Sequence, residues 1–279
     1  MAMKKFHFIR IVALVLAMMP LFISCQKDDN VEPEPKPESK CQMTFTTDKP
    51  IGSTIWLFVK KGNRPTEVIG AEAVFGINPF DGGPADDQEV VGLVLEQSTV
   101  TIKGDITYIR FYDPKLTALD VSKNPVLETL MCDNNQLTSL DISKNTALES
   151  LVCDNNQLTS LDVSKNTALK SLSCEANNMT SIDINHNAKL SVFSCAYNKI
   201  SSLDISKNPE LQFLDCRCNK IKAEEMSKIV NALPDWLSKK DEVKARFSVL
   251  DPYSKNEENE ITEADEKIVK DKNWEIFNY

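Results

Sequence analysis

The chain has 279 residues, a formal net charge of −9, eight glycines and two histidines. An acidic protein of this kind is not expected to bind nucleic acid, because that needs clustered lysine and arginine. With so few histidines and glycines, and no G-x-S-x-G, H-E-x-x-H or glycine-rich phosphate loop, neither an enzyme nor a cofactor or metal site is expected.

Residues 1–24 are predicted to be a lipoprotein signal peptide. A basic start precedes the apolar stretch 11–23, which is too short for an ordinary membrane span. The segment LFISC (21–25) resembles a lipobox, in which Cys25 would be lipidated and become the mature N-terminus. The alternative is plain secretion with cleavage nearby. Loss of residues 1–24 removes three cations and no acid, so the net charge would change from −9 to −12.

Residues 25–40 are predicted to be a lipid anchor followed by a proline-rich tether. The segment QKDD (26–29) resembles the export signal of Bacteroidota surface lipoproteins, which implies an outer membrane lipoprotein facing the extracellular side. The segment VEPEPKPESK (31–40) cannot bury enough apolar surface to fold and should extend by about 3.1 Å per residue. Membrane contact is therefore expected through the N-terminal lipid only.

Residues 41–115 are predicted to form a β-rich N-terminal cap. MTFTT (43–47), IWLFV (55–59) and VTIKG (100–104) have the composition of strands. The segment 106–111, with Ile, Ile and Phe at strand spacing, is interpreted as a degenerate repeat. An end unit of a solenoid must differ from the others because one of its sides faces solvent.

Residues 116–220 are five 21-residue repeats without insertion or deletion, from LTALDVSKNPVLETLMCDNNQ to ISSLDISKNPELQFLDCRCNK. A fixed period of this length predicts a solenoid, in which each unit buries its apolar side chains against its neighbours. Each repeat holds two L-x-x-L-x-φ segments, and the L-x-φ alternation is that of a half-buried strand. Six apolar columns should therefore line the inside of the coil.

One of these six columns consists of cysteines. Neighbouring turns should lie about 4.8 Å apart, whereas a disulfide needs Cβ atoms about 3.8 Å apart. We therefore expect buried, reduced thiols that act as small apolar fillers, and one thiol per turn does not assemble a tetrahedral metal site. The predicted cysteine ladder consists of Cys132, Cys153, Cys174, Cys195 and Cys216.

Two asparagine columns and one aspartate column also follow from the repeat. Asparagine both donates and accepts hydrogen bonds, so stacked asparagines can satisfy the backbone groups of the turns. The stacked aspartates, starting with Asp120, repel one another, and the neighbouring Ser and Lys residues are the expected groups to offset this repulsion. A calcium ladder is the alternative, although the glycine-rich turns of calcium-binding β-rolls are missing.

The repeat L-T-x-L-D-V-S-x-N-x-x-L-x-x-L-x-C-x-x-N resembles that of internalin-J-like leucine-rich-repeat surface lipoproteins of Bacteroidota. The resemblance covers residues 116–220 well and the flanking regions loosely. It implies an α/β leucine-rich-repeat solenoid, with a parallel β-sheet and a cysteine ladder on the concave face and short strands or turns on the other side. It also implies a role in adhesion or protein contact.

Residues 221–279 are predicted to form an α/β C-terminal cap. Helical spacing over 224–233 is ended by a proline, and residues 247–250 have the pattern of a last strand. Thr262 has the position and type of a helix N-cap.

The candidate binding surface comprises the outward residues of the concave strands. Aromatic, arginine and methionine residues are enriched at the centres of protein interfaces. The alternative is that the cap covers these aromatic residues. The candidates are Tyr108, Arg110, Tyr112 and Met131 at the N-terminal end, with Tyr197, Phe213 and Arg217 as a second, weaker group.

The leading functional hypothesis is a cell-surface-anchored binding protein that contacts a protein partner, in adhesion or biofilm contact. Capture of a glycan is the first alternative, with Tyr108, Tyr112 and Tyr197 as stacking platforms. A passive structural component of a surface complex is the second.

Overall fold

The computed structural model describes residues 40–75, 87–112, 114–236 and 244–277. The predicted signal peptide, Cys25 and nearly all of the tether lie outside the described residues. None of the helices in the described ranges combines the length and hydrophobicity of a membrane span.

Eight strands form the N-terminal part of the described chain. In chain order they are β1 (Gln42–Thr47), β2 (Thr54–Lys60), β3 (Glu67–Ile69), β4 (Ala71–Phe75), β5 (Gln88–Leu95), β6 (Thr99–Lys103), β7 (Tyr108–Tyr112) and β8 (Leu116–Asp120). β1 and β2 contain predicted strand segments, and β6 matches the third but ends one residue earlier, whereas β3, β4 and β5 were not anticipated.

These strands belong to two sheets that share one core. The short sheet is antiparallel, with the strand order β3-β6-β1-β8, and the long sheet begins β4-β5-β2-β7. Gly70 connects them with φ of +89°, and a Cβ atom there would lie 2.4 Å from the carbonyl oxygen of Thr99. Phe45 of the short sheet and Phe111 of the long sheet meet edge to face, with ring centroids 5.4 Å apart.

The long sheet continues through the repeats with one short parallel strand in each. Leu151 pairs with Leu130 on one side and Leu172 on the other, so the register advances by one 21-residue repeat per strand. β7 pairs in parallel with the first of these strands, in the same register. The chain is a leucine-rich-repeat solenoid. Its repeat strands are β9 (Thr129–Met131), β10 (Ser150–Val152), β11 (Ser171–Ser173), β12 (Val192–Ser194) and β13 (Phe213–Asp215).

The first apolar segment of each repeat, LTALDV in the first repeat, was expected to form a short strand or turn, and within the five described repeats it is a strand only in the first. There β8 forms a strand because β1 pairs with it. In the second repeat, the amide of Leu137 donates to Oδ1 of Asn156 at 3.0 Å, and the Leu137 carbonyl accepts from Gln157 at 2.9 Å. Leu116 of β8 makes the equivalent two bonds, so the pairing with β1 is what distinguishes the first repeat.

The cysteine column has the predicted character. The described cysteines are free thiols, and all five members of the column are buried. Burial raises the pKa of each of these thiols. The thiol of Cys174 donates weakly to the Ser194 carbonyl at 3.4 Å.

The two asparagine columns supply hydrogen bonds at the turns. Nδ2 of Asn156 donates to the carbonyls of Cys132, Cys153 and Asp154 at 3.0–3.2 Å. In the other column, Nδ2 of Asn166 donates to the Ile142 and Asn145 carbonyls at 3.0 and 2.8 Å. Each asparagine thus joins its own turn to a neighbouring one. Its side chain bonds buried backbone carbonyls that no water can reach.

The C-terminal cap extends the same sheet. Its elements are α1 (Ala223–Ala232), β14 (Ala245–Ser248), α2 (Glu263–Asp271) and β15 (Trp274–Ile276). β14 pairs in parallel with β13, and β15 pairs in parallel with β14. β14 begins two residues earlier than the predicted strand. Thr262 and Asp265 form the capping box that begins α2.

Candidate binding surface

The outward face of the long sheet carries the predicted contact residues in regular rows. Because the strands pair in register, equivalent side chains lie side by side across the sheet. Tyr108 lies opposite Thr129, and Arg110 lies opposite Met131. The sheet therefore brings the four N-terminal candidates together on two adjacent strands.

The N-terminal group is partly exposed. Tyr112 is 45 % exposed, Arg110 is exposed, and Tyr108 and Met131 are half-buried. The Tyr108 hydroxyl lies 3.7 Å from the Met131 sulfur and donates to it, and burial raises the pKa of this tyrosine. The cap strand β2 pairs with the edge of β7 rather than lying over it. The described part of the cap therefore continues this surface.

Sequence reasoning missed two aromatic residues on the same face. Trp56 of β2 pairs with Tyr112, and Phe58 pairs with Arg110. The Phe58 and Tyr112 rings meet edge to face with centroids 6.5 Å apart. The signal was present in IWLFV, where both alternating sets of side chains are apolar, whereas a strand with one solvent face normally alternates apolar and polar residues.

The middle of the face is polar and internally hydrogen-bonded. Oδ1 of Asp154 accepts from the Ser173 hydroxyl and from the Glu175 amide, both at 2.7 Å. The Ser194 hydroxyl donates to the Glu175 carboxylate in the same way. Burial is the main cause that raises the pKa of both carboxyl groups.

The C-terminal group is not as predicted, because Arg217 is only 8 % exposed. Its guanidinium is bound to the Asp215 carboxylate, with Nη2 and Oδ2 2.6 Å apart. Asp215 is the last residue of β13, so this ion pair holds the arginine side chain at the end of that strand. Phe213 is half-buried, while Tyr197 is 39 % exposed and donates its hydroxyl to Asp251. Only Tyr197 and Phe213 of this group therefore keep substantial exposed surface.

The aspartate column is held by local turns. Oδ1 of Asp141 accepts from the Ser143 amide at 2.9 Å, and the equivalent bond recurs in the other repeats. This bond lowers the pKa of Asp141. Among the described residues, no three His, Cys, Asp or Glu side chains are grouped closely enough to hold a metal ion.

Leucine-rich-repeat proteins are among the solved structures similar to this chain. The functional domain of InlJ from Listeria monocytogenes, described as including a cysteine ladder, is 31 % identical over 47 % of this chain and 27 % of its own, with a TM-score of 0.40. A leucine-rich-repeat protein of Leptospira interrogans is 21 % identical over 59 % and 40 %, with a TM-score of 0.45. The internalin InlF from Listeria monocytogenes is 18 % identical over 59 % and 52 %, with a TM-score of 0.40.

The chain thus spans between about a quarter and a half of the length of these three structures. No protein-family model matches it, and no curated protein matches it significantly. The strand register and the buried columns of the chain itself define the fold.

Proposed function

We propose that this protein is a binding module whose long sheet contacts a protein partner through its outward face. The observation that carries this function is the placement of Tyr108, Arg110, Tyr112 and Met131 on adjacent strands of one sheet. These residue types dominate the centres of protein interfaces. Because paired strands hold them, little conformational freedom is lost on binding.

Anchoring to the outer membrane through a lipid on Cys25 would place this face outside the cell. The support is the lipobox-like segment 21–25, together with the proline-rich segment 31–40 that would separate the fold from the membrane. Contact between cells, in adhesion or a biofilm, would be the setting. Two experiments test this location. The protein should incorporate a fatty-acid analogue, and Cys25→Ala should abolish this labelling. Protease added to whole cells should cleave the protein if it faces outward.

The binding function is tested by replacing Tyr108, Arg110 and Tyr112 together with serine. The wild type and this triple variant are applied to a protein array and a glycan array. Tyr253→Ser is the matched control, because Tyr253 is 87 % exposed and lies in the loop between β14 and α2. We expect protein targets that the triple variant loses and the control keeps, with unchanged circular dichroism. Equal binding of the triple variant and the wild type would contradict the proposed site and favour a passive structural component.

Glycan capture is the second candidate, favoured by the exposure of Tyr112 and Tyr197. Exposed aromatic rings can stack on the apolar faces of sugars. Tyr112 lies on β7 and Tyr197 follows β12, with three strands between β7 and β12, so the two tyrosines would serve two separate subsites. Glycan-array signals that Tyr112→Ser or Tyr197→Ser removes, without any protein target, would establish this function in place of the first.

A further inference from the structure

The middle of the outward face carries three carboxyl groups in consecutive repeats. Asp133, Asp154 and Glu175 each lie two residues after the end of a repeat strand, on neighbouring turns of the coil. Such turns are about 4.8 Å apart, which is the spacing of adjacent strands. All three residues are half-buried. The next repeat has Ala196 at the equivalent position, so the row of carboxyl groups ends at Glu175.

Hydrogen bonds hold Asp154 against the turn that carries Glu175. Oδ1 of Asp154 accepts from the Glu175 amide and from the Ser173 hydroxyl, both at 2.7 Å. The Asn155 amide donates to the Glu175 carbonyl at 2.9 Å. The Glu175 carboxylate in turn accepts from the Ser194 hydroxyl of the following repeat. The two carboxyl groups therefore belong to one fixed network.

The charges that face this network are mostly negative. Asp154 faces the Asp133 carboxylate on the turn before it. Glu175 faces Asp154 and Asp215, together with one cation, Arg217. The Arg217 guanidinium is bound to Asp215, with Nη2 and Oδ2 2.6 Å apart, so its positive charge is partly offset before it acts on Glu175.

Partial burial and these neighbours act in the same direction. Burial is the largest cause that raises the pKa of Asp154 and Glu175, and the adjacent carboxylates raise the pKa of both further, while the serine hydroxyls lower it. Burial acts in this way because it removes water from the charged form. Asp141, in the exposed aspartate column of the same solenoid, has a lowered pKa because the Ser143 amide donates to it. The two kinds of carboxyl group thus respond to acid in opposite ways.

We propose that Asp154 and Glu175 form a proton-sensitive pair, which takes up its first proton at a pH where ordinary carboxyl groups are still charged. Because the two groups lie on neighbouring turns, they titrate as a coupled pair, and each should lower the pKa of the other once it is neutral. The outward face then loses negative charge before the exposed aspartates do. This device goes beyond the proposed binding function and needs no partner.

The proton also stabilises the fold. Since the folded pKa of each group is raised above its ordinary value, 3.8 for Asp154 and 4.5 for Glu175, the stabilising contribution is fully present below those values. It is lost as the pH rises through the folded pKa. The repeats should therefore become more stable as a neutral solution is acidified towards the ordinary carboxyl range.

The test is a pH titration of the protein followed by the carboxyl ¹³C signals in NMR, which give a midpoint for each group. We expect the midpoints of Asp154 and Glu175 to lie above 3.8 and 4.5. Asp154→Asn should lower the Glu175 midpoint because it removes a neighbouring charge, whereas Ser194→Ala should raise it because it removes a donor to the carboxylate. Asp141→Asn is the matched control and should leave the Glu175 midpoint unchanged.

Wild-type midpoints at or below the ordinary values would overturn the pair, and so would an Asp154→Asn variant in which Glu175 titrates as in the wild type. Urea unfolding of the double variant Asp154→Asn/Glu175→Gln tests the link to stability. Its unfolding midpoint should rise less on acidification than that of the wild type. Parallel pH profiles of the two proteins would contradict the proposal, and the wild-type titration decides it even where a variant fails to fold.

Discussion

Asn259 occupies, in the C-terminal cap, the position that Asn219 occupies in the last repeat. Oδ1 of Asn219 accepts from the Ile200 amide at 2.9 Å, and Oδ1 of Asn259 accepts from the Ile221 amide at 3.0 Å. Nδ2 of Asn259 also donates to the Cys216 carbonyl at 2.8 Å. The asparagine column therefore continues beyond the last regular repeat.

The C-terminal cap is consequently a further, irregular turn of the solenoid. The 21-residue spacing is lost because helix α1 is inserted before β14 and a loop, 251–257, follows it. Both oxygens of Glu257 hold this loop, accepting from the amides of Cys218, Asp251 and Asn259 at 2.8–2.9 Å. The core thus closes without a change in the direction of the strands.

Replacing Asn259 by alanine should destabilise the protein about as much as Asn156→Ala. Each change leaves buried backbone groups without partners, which costs about 1–3 kcal/mol per group, so a loss of roughly 3 kcal/mol is expected. Urea unfolding followed by circular dichroism measures it. Asn256→Ala is the control, because Asn256 is exposed, and should remain within about 0.5 kcal/mol of the wild type. Equal stability of the Asn259 and Asn256 variants would refute the column's extension.

The column cysteines should not react with a thiol reagent in the folded protein. Their burial excludes the reagent, and their raised pKa suppresses the reactive thiolate. In a Cys25→Ala background, only the partly exposed Cys41 should react quickly under native conditions, and the remaining thiols should appear in urea. Rapid native labelling of Cys153 or Cys174, or a mass showing disulfides, would count against the ladder.

Ala176→Gly should increase the free energy of unfolding by about 1 kcal/mol, because a left-handed backbone costs an L-residue roughly that much. Ala176 has φ of +49° at a position where two other repeats have asparagine. Ala147→Gly is the matched control: Ala147 lies outside the left-handed region and should lose about 0.5–1 kcal/mol. If both glycine variants lose stability alike, strain at Ala176 is absent.

Asp154→Asn and Asp141→Asn should affect stability in opposite directions near neutral pH. The pKa of Asp154 is raised by burial above its ordinary 3.8, so its protonated form favours folding. That contribution is present below pH 3.8 and is lost as the pH rises through the folded pKa, so the asparagine variant should be more stable than the wild type near neutrality. The gain should disappear on acidification.

Asp141 has a lowered pKa because the Ser143 amide donates to it. Its stabilising contribution is present above pH 3.8 and lost as the pH falls through the folded pKa, so Asp141→Asn should be the less stable variant at neutrality. Urea midpoints across this pH range measure both differences. The same sign for both variants would contradict the assigned environments.

The repeat region could be predicted from sequence because every column recurs at a fixed spacing. Leu130, Leu151 and Leu172 are buried where the L-x-C segment places them, and Ile109 occupies the same register in the degenerate repeat. The local apolar alternation and the 21-residue period together predict which residues are buried and how the strands align. Neither signal depends on contacts with residues outside the repeats.

The other features depend on contacts that sequence spacing does not contain. Arg217 has the pattern of an exposed residue, but the adjacent Asp215 binds it. Asn259 is forty positions from Asn219 instead of 21, and the apolar outward set of β2 becomes a surface only through its pairing with β5 and β7. These features therefore depend on strand pairing, side-chain contacts and insertions, which the 21-residue period does not predict.

Amide hydrogen exchange resolved by residue tests most directly whether one continuous sheet runs from cap to cap. The amides of Arg246 and Phe277 donate to the carbonyls of Gln212 and Phe247 at 2.8 and 2.9 Å, as the Cys153 amide donates to Ser173 at 2.9 Å within the repeats. If the coil is continuous, all three amides should be strongly protected. Fast exchange at Arg246 and Phe277 beside slow exchange at Cys153 would show that the sheet ends with the repeats.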